Sequence, residues 1–132
     1  MDLKILKIAS NTENNKVLDN FTHRSKNKNP ICGDEMEISL VVKNETVIDM
    51  GYQCKSCVYC QASVSLLSQN IKNKNLVEVK RFIISCENIF DNTKIVIEKN
   101  WKGFVELFDK KNISRKECLL LPLRTVLKAL KI

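Results

Sequence analysis

Six cysteines stand among the 132 residues, and no other side chain type in the chain offers as much chemistry. Thiols ligate metals, carry persulfides, form disulfides and attack as nucleophiles. Three of them, Cys54, Cys57 and Cys60, repeat at C-x-x-C-x-x-C intervals within GYQCKSCVYCQASVSLLSQNI, residues 51–71. The spacing alone has two readings. One places all three sulfurs on a single metal, and the other takes one C-x-x-C pair as a redox centre. Cys32 sits in NPICGDE, where Pro30 stiffens the approach and Gly33 allows a sharp turn. Asp34 follows two residues later, so a thiol and a carboxylate share one tight turn. Such turns are usually only turns, and C-G-D alone is a weak signal.

Element ends decide which thiols can converge. Val58, Ala62 and Leu66 lie four apart, and Leu67 and Ile71 extend the stripe, which predicts a helix over 57–72. Cys57 therefore falls where strand gives way to helix. Leu119, Leu123, Val126, Leu127 and Leu130 predict an amphipathic C-terminal helix that Cys118 opens. Helix starts carry unpaired amides and partial positive charge, which lower thiol pKa values and favour thiolate. Two cysteines so placed are a stronger coincidence than one, although an ordinary cap role stands for each singly. Pro122, four residues past Cys118, is tolerated in a first turn or else shifts or kinks the helix. Cys60, one turn beyond Cys57, would be a spare thiol, a sulfur relay or oxidation partner. Cys86 falls on the apolar stripe of a helix over 76–90 and reads as a small buried hydrophobe.

The remaining pattern frames these sites. EMEISLVV, residues 35–42, alternates with Met36, Ile38, Leu40 and Val42 on one face. VIDMGYQC, residues 47–54, alternates with Ile48, Met50 and Tyr52 together, and the KNET turn between them makes a hairpin. WKGFVELFD reads as a short helix, and IVIEK as a strand or helix start. Leu3, Leu6 and Ala9 share helical spacing within residues 1–10, and KVLDNF reads as a second short helical piece. THRSKNKNP, residues 22–30, is a loop by composition. His23, the only histidine, falls in this loop and reads as a surface residue. Strands precede helices, which gives an α+β fold, a small antiparallel sheet with helices packed on one face. Residues 1–132 read as a single domain, with 1–30 an N-terminal helical segment and loop.

The formal net charge is +7, yet 18 lysines outnumber 4 arginines and form no long cluster. Nucleic-acid readers concentrate arginine forks and stacking aromatics, so the charge reads as a lysine-rich surface without a nucleic-acid partner. No run of about 18 apolar residues predicts a membrane span. The lysine-interrupted start is a poor signal peptide, and a cytoplasmic location with reduced or metal-bound cysteines follows.

NPICGDEMEISLVV, CVYCQASVSLL and RKECLLLPLRTVLKAL, taken in order, resemble the IscU/NifU-type iron–sulfur cluster assembly scaffold family. The likeness covers residues 17–131. It is greatest to the SufU branch, for the interval from Cys57 to Cys118 is 61 residues and Arg115 makes an R-x-x-C with Cys118. The IscU branch has a histidine before its third cysteine. In this chain Glu117 stands at that position, read as an exposed charge. The resemblance implies a site of Cys32, Asp34, Cys57 and Cys118, with Cys54 and Cys60 outside it. It further implies a transient [2Fe–2S] cluster or zinc, a cysteine desulfurase as sulfur donor, and iron–sulfur acceptor or carrier proteins.

Three thiolates and a carboxylate suit Zn²⁺ or Fe²⁺ in tetrahedral geometry. Three functions follow. The first is a non-enzymatic scaffold on which iron and sulfide assemble. The second is a zinc-dependent sulfurtransferase in which Cys118, beside Arg115 and Lys116, accepts a persulfide. The third is a structural zinc module built on Cys54, Cys57 and Cys60. The carboxylate, harder than its thiolate neighbours, would make the first two sites labile.

Overall fold

The computed structural model describes residues 3–91 and 95–132. Three antiparallel strands, β1 (His23–Lys28), β2 (Glu35–Lys43) and β3 (Thr46–Lys55), form a sheet in the order β1-β2-β3. The helices are α1 (Leu3–Ala9), α2 (Val58–Asn70), α3 (Leu76–Asn88), α4 (Phe104–Leu107) and α5 (Lys116–Leu130), the last entered through a 3-10 turn, Lys110–Arg115. The α+β architecture is the one expected. α5 lies on β1 and β2, α2 lies on β3 and α5, and α1 covers α2.

Alternation along β2 sends Met36, Ile38 and Leu40 into the core beneath these helices. In β3, Met50 and Tyr52 are buried as expected, and only the start of the strand departs from the expected face. A bulge between Val41 and Val42 pairs Val42 with Val47 rather than Ile48. One inserted residue inverts the alternation, so Val47 is buried and Ile48 is largely exposed. The first helix is corrected likewise: Ile5 is its buried residue, while Leu3 is 78% exposed.

The largest revision concerns residues 16–30. KVLDNF forms no helix. Leu18 is buried, its amide donates to Ser39 Oγ (3.3 Å), and the segment straps the outer side of the sheet. THRSKNKNP is not a loop, because His23–Lys28 pairs with β2 from His23↔Leu40 to Lys28↔Glu35. This strand has no apolar face to betray it. Hydrogen bonds replace burial: Ser25 Oγ donates to Thr125 O (2.6 Å), and Lys128 Nζ to Lys26 O (2.6 Å). Its lysines also suit a sheet edge, where charge discourages further strand pairing. IVIEK, at 95–99, forms neither strand nor helix.

Two features fix the cysteine-bearing helices. Ser63 Oγ, fully buried on α2, donates to Leu119 O on α5 at 2.7 Å. Pro122 sits inside α5 rather than in its first turn, so Cys118 O has no amide four residues on to accept from. Away from the site, Phe82 and Trp101 stack at 3.9 Å, and Phe104 meets Phe82 edge-on.

Gly51 is where the strap crosses β3. A Cβ there would stand 2.4 Å from Lys16 O and 3.1 Å from Leu18 Cγ. Gly51→Ala is expected to destabilise the fold by about 2 kcal/mol, in the range of overpacked sites. The check is the urea midpoint, and an unchanged midpoint would show that the strap is not docked there.

Candidate metal centre

The N-terminal end of β2 and the starts of α2 and α5 meet at one corner of the molecule. There the loop ahead of β2 turns through Gly33 at φ +77°, and its ends are tied by Asn29 N to Asp34 O and Gly33 N to Asn29 O, both 2.8 Å. This compact turn carries the Cys32 thiol, which is exposed. Asp34, only 6% exposed, points inward. Cys32 Sγ lies 3.9 Å from Cys118 Sγ, and one carboxylate oxygen of Asp34 joins them in a group whose ligand atoms all lie within 4.8 Å of one another. In sequence, the sulfurs are 86 residues apart.

Cys57 is the N-cap of α2, and its amide donates to Asp34 Oδ1 at 3.1 Å. The carboxylate thus caps the helix that Cys57 begins, where an anion is favoured. The Cys57 thiol is close enough to Cys118 to raise that residue's pKa, but it lies outside the three-residue cluster. Cys54 and Cys60 are outside it too. Cys60 is fully buried in the core, which removes the accessible spare thiol expected there, and Cys86 is buried as anticipated. Cys54, Cys57 and Cys60 form no cluster of their own among the described residues. His23, far along β1 and paired opposite Leu40, contacts Thr22.

Cys118 is the third residue of α5 rather than its opening one. Its thiol pKa is pushed strongly up, first by burial and then by the neighbouring Cys57 and Cys32 sulfurs. This reverses the expectation of a helix-start thiolate, and magnitudes explain why. A helix terminus contributes about 0.3–1 kcal/mol, less than the 1.36 kcal/mol of one pKa unit, whereas burial shifts pKa values by several units. Burial also raises Cys54 and Cys60.

The donor set fits a soft-to-borderline cation. Asp34 Oδ2 is buried without a hydrogen-bond partner, while Oδ1 is occupied by the Cys57 amide. Leaving a charged oxygen so costs more than the roughly 1–3 kcal/mol of a neutral orphan, and a cation removes the deficit. Two thiolates on one tetrahedral ion with bonds of about 2.3 Å lie about 3.8 Å apart, close to the observed 3.9 Å.

Two charged features flank the cluster. Glu117 is not a bare surface charge. Arg124 Nη1 binds it, while Arg124 Nε and Nη2 clamp Glu87 at 2.7 and 2.9 Å. These bonds, those to Glu87 foremost, hold the Arg124 pKa up. Arg115 lies over the Tyr59 ring at 5.3 Å. Sequence reasoning missed Ser63 and Arg124. The signal for Arg124 was its spacing, seven residues from Glu117 and so on the same helical face.

A small sheet with thiols and a carboxylate gathered at one end from three chain segments defines a narrow class of α+β domain. Residues 2–102 match the family described as NifU-like N terminal domain. The iron-sulfur cluster assembly scaffold protein IscU of Thermotoga maritima is 31% identical over 133 residues, covering 96% of this chain and 89% of that protein. The chain belongs to the NifU-like N-terminal domain family. Among solved structures, a candidate scaffold protein for the SUF system from Fervidobacterium islandicum AW-1 superposes with a TM-score of 0.87 at 23% identity, covering 98% of this chain and 96% of that one. A NifU-like N-terminal protein from Brucella abortus does so at 0.89 and 19% identity, covering 98% and 91%. At these identities the likeness is one of fold.

The burial of Cys118 has a measurable consequence. In metal-free protein at pH 8, iodoacetamide is expected to label Cys32 at least tenfold faster than Cys118, followed by peptide mass mapping. Equal rates would contradict a raised Cys118 pKa.

Proposed function

We propose that this protein is an iron–sulfur cluster assembly scaffold. In this reading Cys32, Asp34, Cys57 and Cys118 hold iron and a transient [2Fe–2S] cluster as cargo, later passed to acceptor or carrier proteins. A cysteine desulfurase supplies the sulfur in a reducing cytoplasm, and Cys118 accepts it as a persulfide. The carrying observation is the convergence of Cys32, Asp34 and Cys118 within 4.8 Å. Family membership supports it, as does the scaffold role of the Thermotoga relative. No described helix is long and apolar enough to cross a membrane.

The residues divide the work. Cys118 and Cys57 sit on helix starts that Ser63 fastens together, so they form the fixed side of the site. Cys32 rides the exposed turn and is the adjustable side. Asp34 offers one free oxygen, a harder ligand than its neighbours and the first to exchange. Arg124 keeps the Glu117 carboxylate engaged. A zinc-bound sulfurtransferase, SufU-like, is the second reading, favoured by the sulfur separation that matches a tetrahedral ion.

Anaerobic reconstitution with ferrous iron and sulfide is expected to give a visible cluster chromophore. Cys32→Ala should lower metal affinity by about 100-fold or more, the upper end of what outer ligand-shell changes produce. Asp34→Ala should slow release to a chelator severalfold. Tight zinc with no chromophore under the same conditions selects the sulfurtransferase, and full chromophore in Cys57→Ala and Cys32→Ala overturns the site.

A further inference from the structure

A persulfide sulfur is not yet sulfide: it must gain two electrons before it can enter a cluster. An electron source stands beside the acceptor. Cys32 Sγ is 3.9 Å from Cys118 Sγ, a few tenths of an ångström beyond near-attack distance. We propose that Cys32 is a resolving thiol, attacking a persulfide on Cys118 to form a Cys32–Cys118 disulfide and release hydrogen sulfide. The inference rests on Cys118 as the acceptor.

The step balances within the chain. Cys118 Sγ–SH and Cys32 Sγ–H give Cys32 Sγ–Sγ Cys118 and H₂S. The new bond joins the two Sγ atoms, and the Cys118 Sγ–S bond breaks. The outer sulfur leaves with that bond's electron pair and takes up the Cys32 thiol proton. The sulfane sulfur gains two electrons, formally one from each cysteine sulfur, as the pair is oxidised to the disulfide. An external dithiol then restores both thiols by exchange.

Geometry selects Cys32 over the other thiols. Cys57 is also near Cys118, but it caps α2 and its amide is held by Asp34. Cys32 belongs to no helix or strand, is exposed, and precedes Gly33 at φ +77°. It can close the remaining distance without moving a helix. Its exposure also leaves the product a path to solvent. Cys60 is fully buried, and Cys54 lies outside the cluster.

The test loads metal-free protein under argon from a persulfidated cysteine desulfurase freed of excess cysteine, so that docking rather than thiol reactivity selects the acceptor, and follows released sulfide, intact mass and mapped peptides. Wild type is expected to release about one sulfide per chain and end about 2 Da below the reduced mass, with Cys32 and Cys118 cross-linked. Cys32→Ser should instead hold about 32 Da on Cys118 and release at least tenfold less sulfide until a dithiol is added. Cys54→Ser should behave as wild type. Circular dichroism checks that each variant is folded. Undiminished release from Cys32→Ser, or a bridge mapped to Cys57, overturns the resolving role. Absence of the added sulfur from Cys118 in Cys32→Ser overturns the acceptor assignment instead, so the two failures are distinct.

Discussion

Asp34 is held by one oxygen and left unsatisfied at the other. That asymmetry organises the corner where β2, α2 and α5 meet. Oδ1 accepts the Cys57 amide and joins the start of a strand to the start of a helix 23 residues away. Oδ2 is then fixed in a buried place with nothing to accept from. A flexible side chain would turn the orphan oxygen to water. This one is prevented from doing so by the compact turn before it and by the helix amide it serves. The folded chain therefore carries a local deficit of positive charge, surrounded by sulfur, and that deficit gives the site its preference for cations.

Burial governs Cys118. It outweighs the modest field of the helix start and, with the neighbouring Cys57 and Cys32 sulfurs, pushes the thiol pKa up. Arg124, the ion-paired guanidinium on α5, does not relieve this. It is committed to Glu87 and Glu117. One guanidinium shared by two carboxylates has no positive charge to spare, so this cluster brings none to the sulfur corner.

Much of this was legible in the residues. β2, the helices around 58–70 and 76–88, and the C-terminal helix announce themselves by period, because each buries an apolar face. Cys32, Asp34 and Cys118 were offered singly by a C-G-D turn and an amphipathic stripe, and it was the resemblance to the scaffold family that joined them in one site. What failed to show was structure held by polar bonds. β1 is written HRSKNK and is fixed through Ser25 and Lys128, whose side chains link it to α5 by backbone oxygens, so no hydrophobic alternation marks it. The strap at 16–18 buries a single leucine. The bulge that swaps Val47 for Ile48 depends on pairing across the sheet, which one strand's pattern does not encode. Cys118's charge state depends on burial by segments scattered over the chain, and local context pointed the wrong way.

Ser63 carries a consequence for how the corner can deform. Its hydroxyl binds the carbonyl of Leu119, the residue immediately after Cys118, from a helix whose cap is Cys57. Rotating α5 about its own axis strains that link, worth on the order of 1 kcal/mol, or drags α2 with it. Cys57 and Cys118 are thereby coupled through this bond and the packing of α2 on α5. Cys32 stands apart from that coupling, on a turn outside both helices, so the third sulfur is positioned independently of the other two.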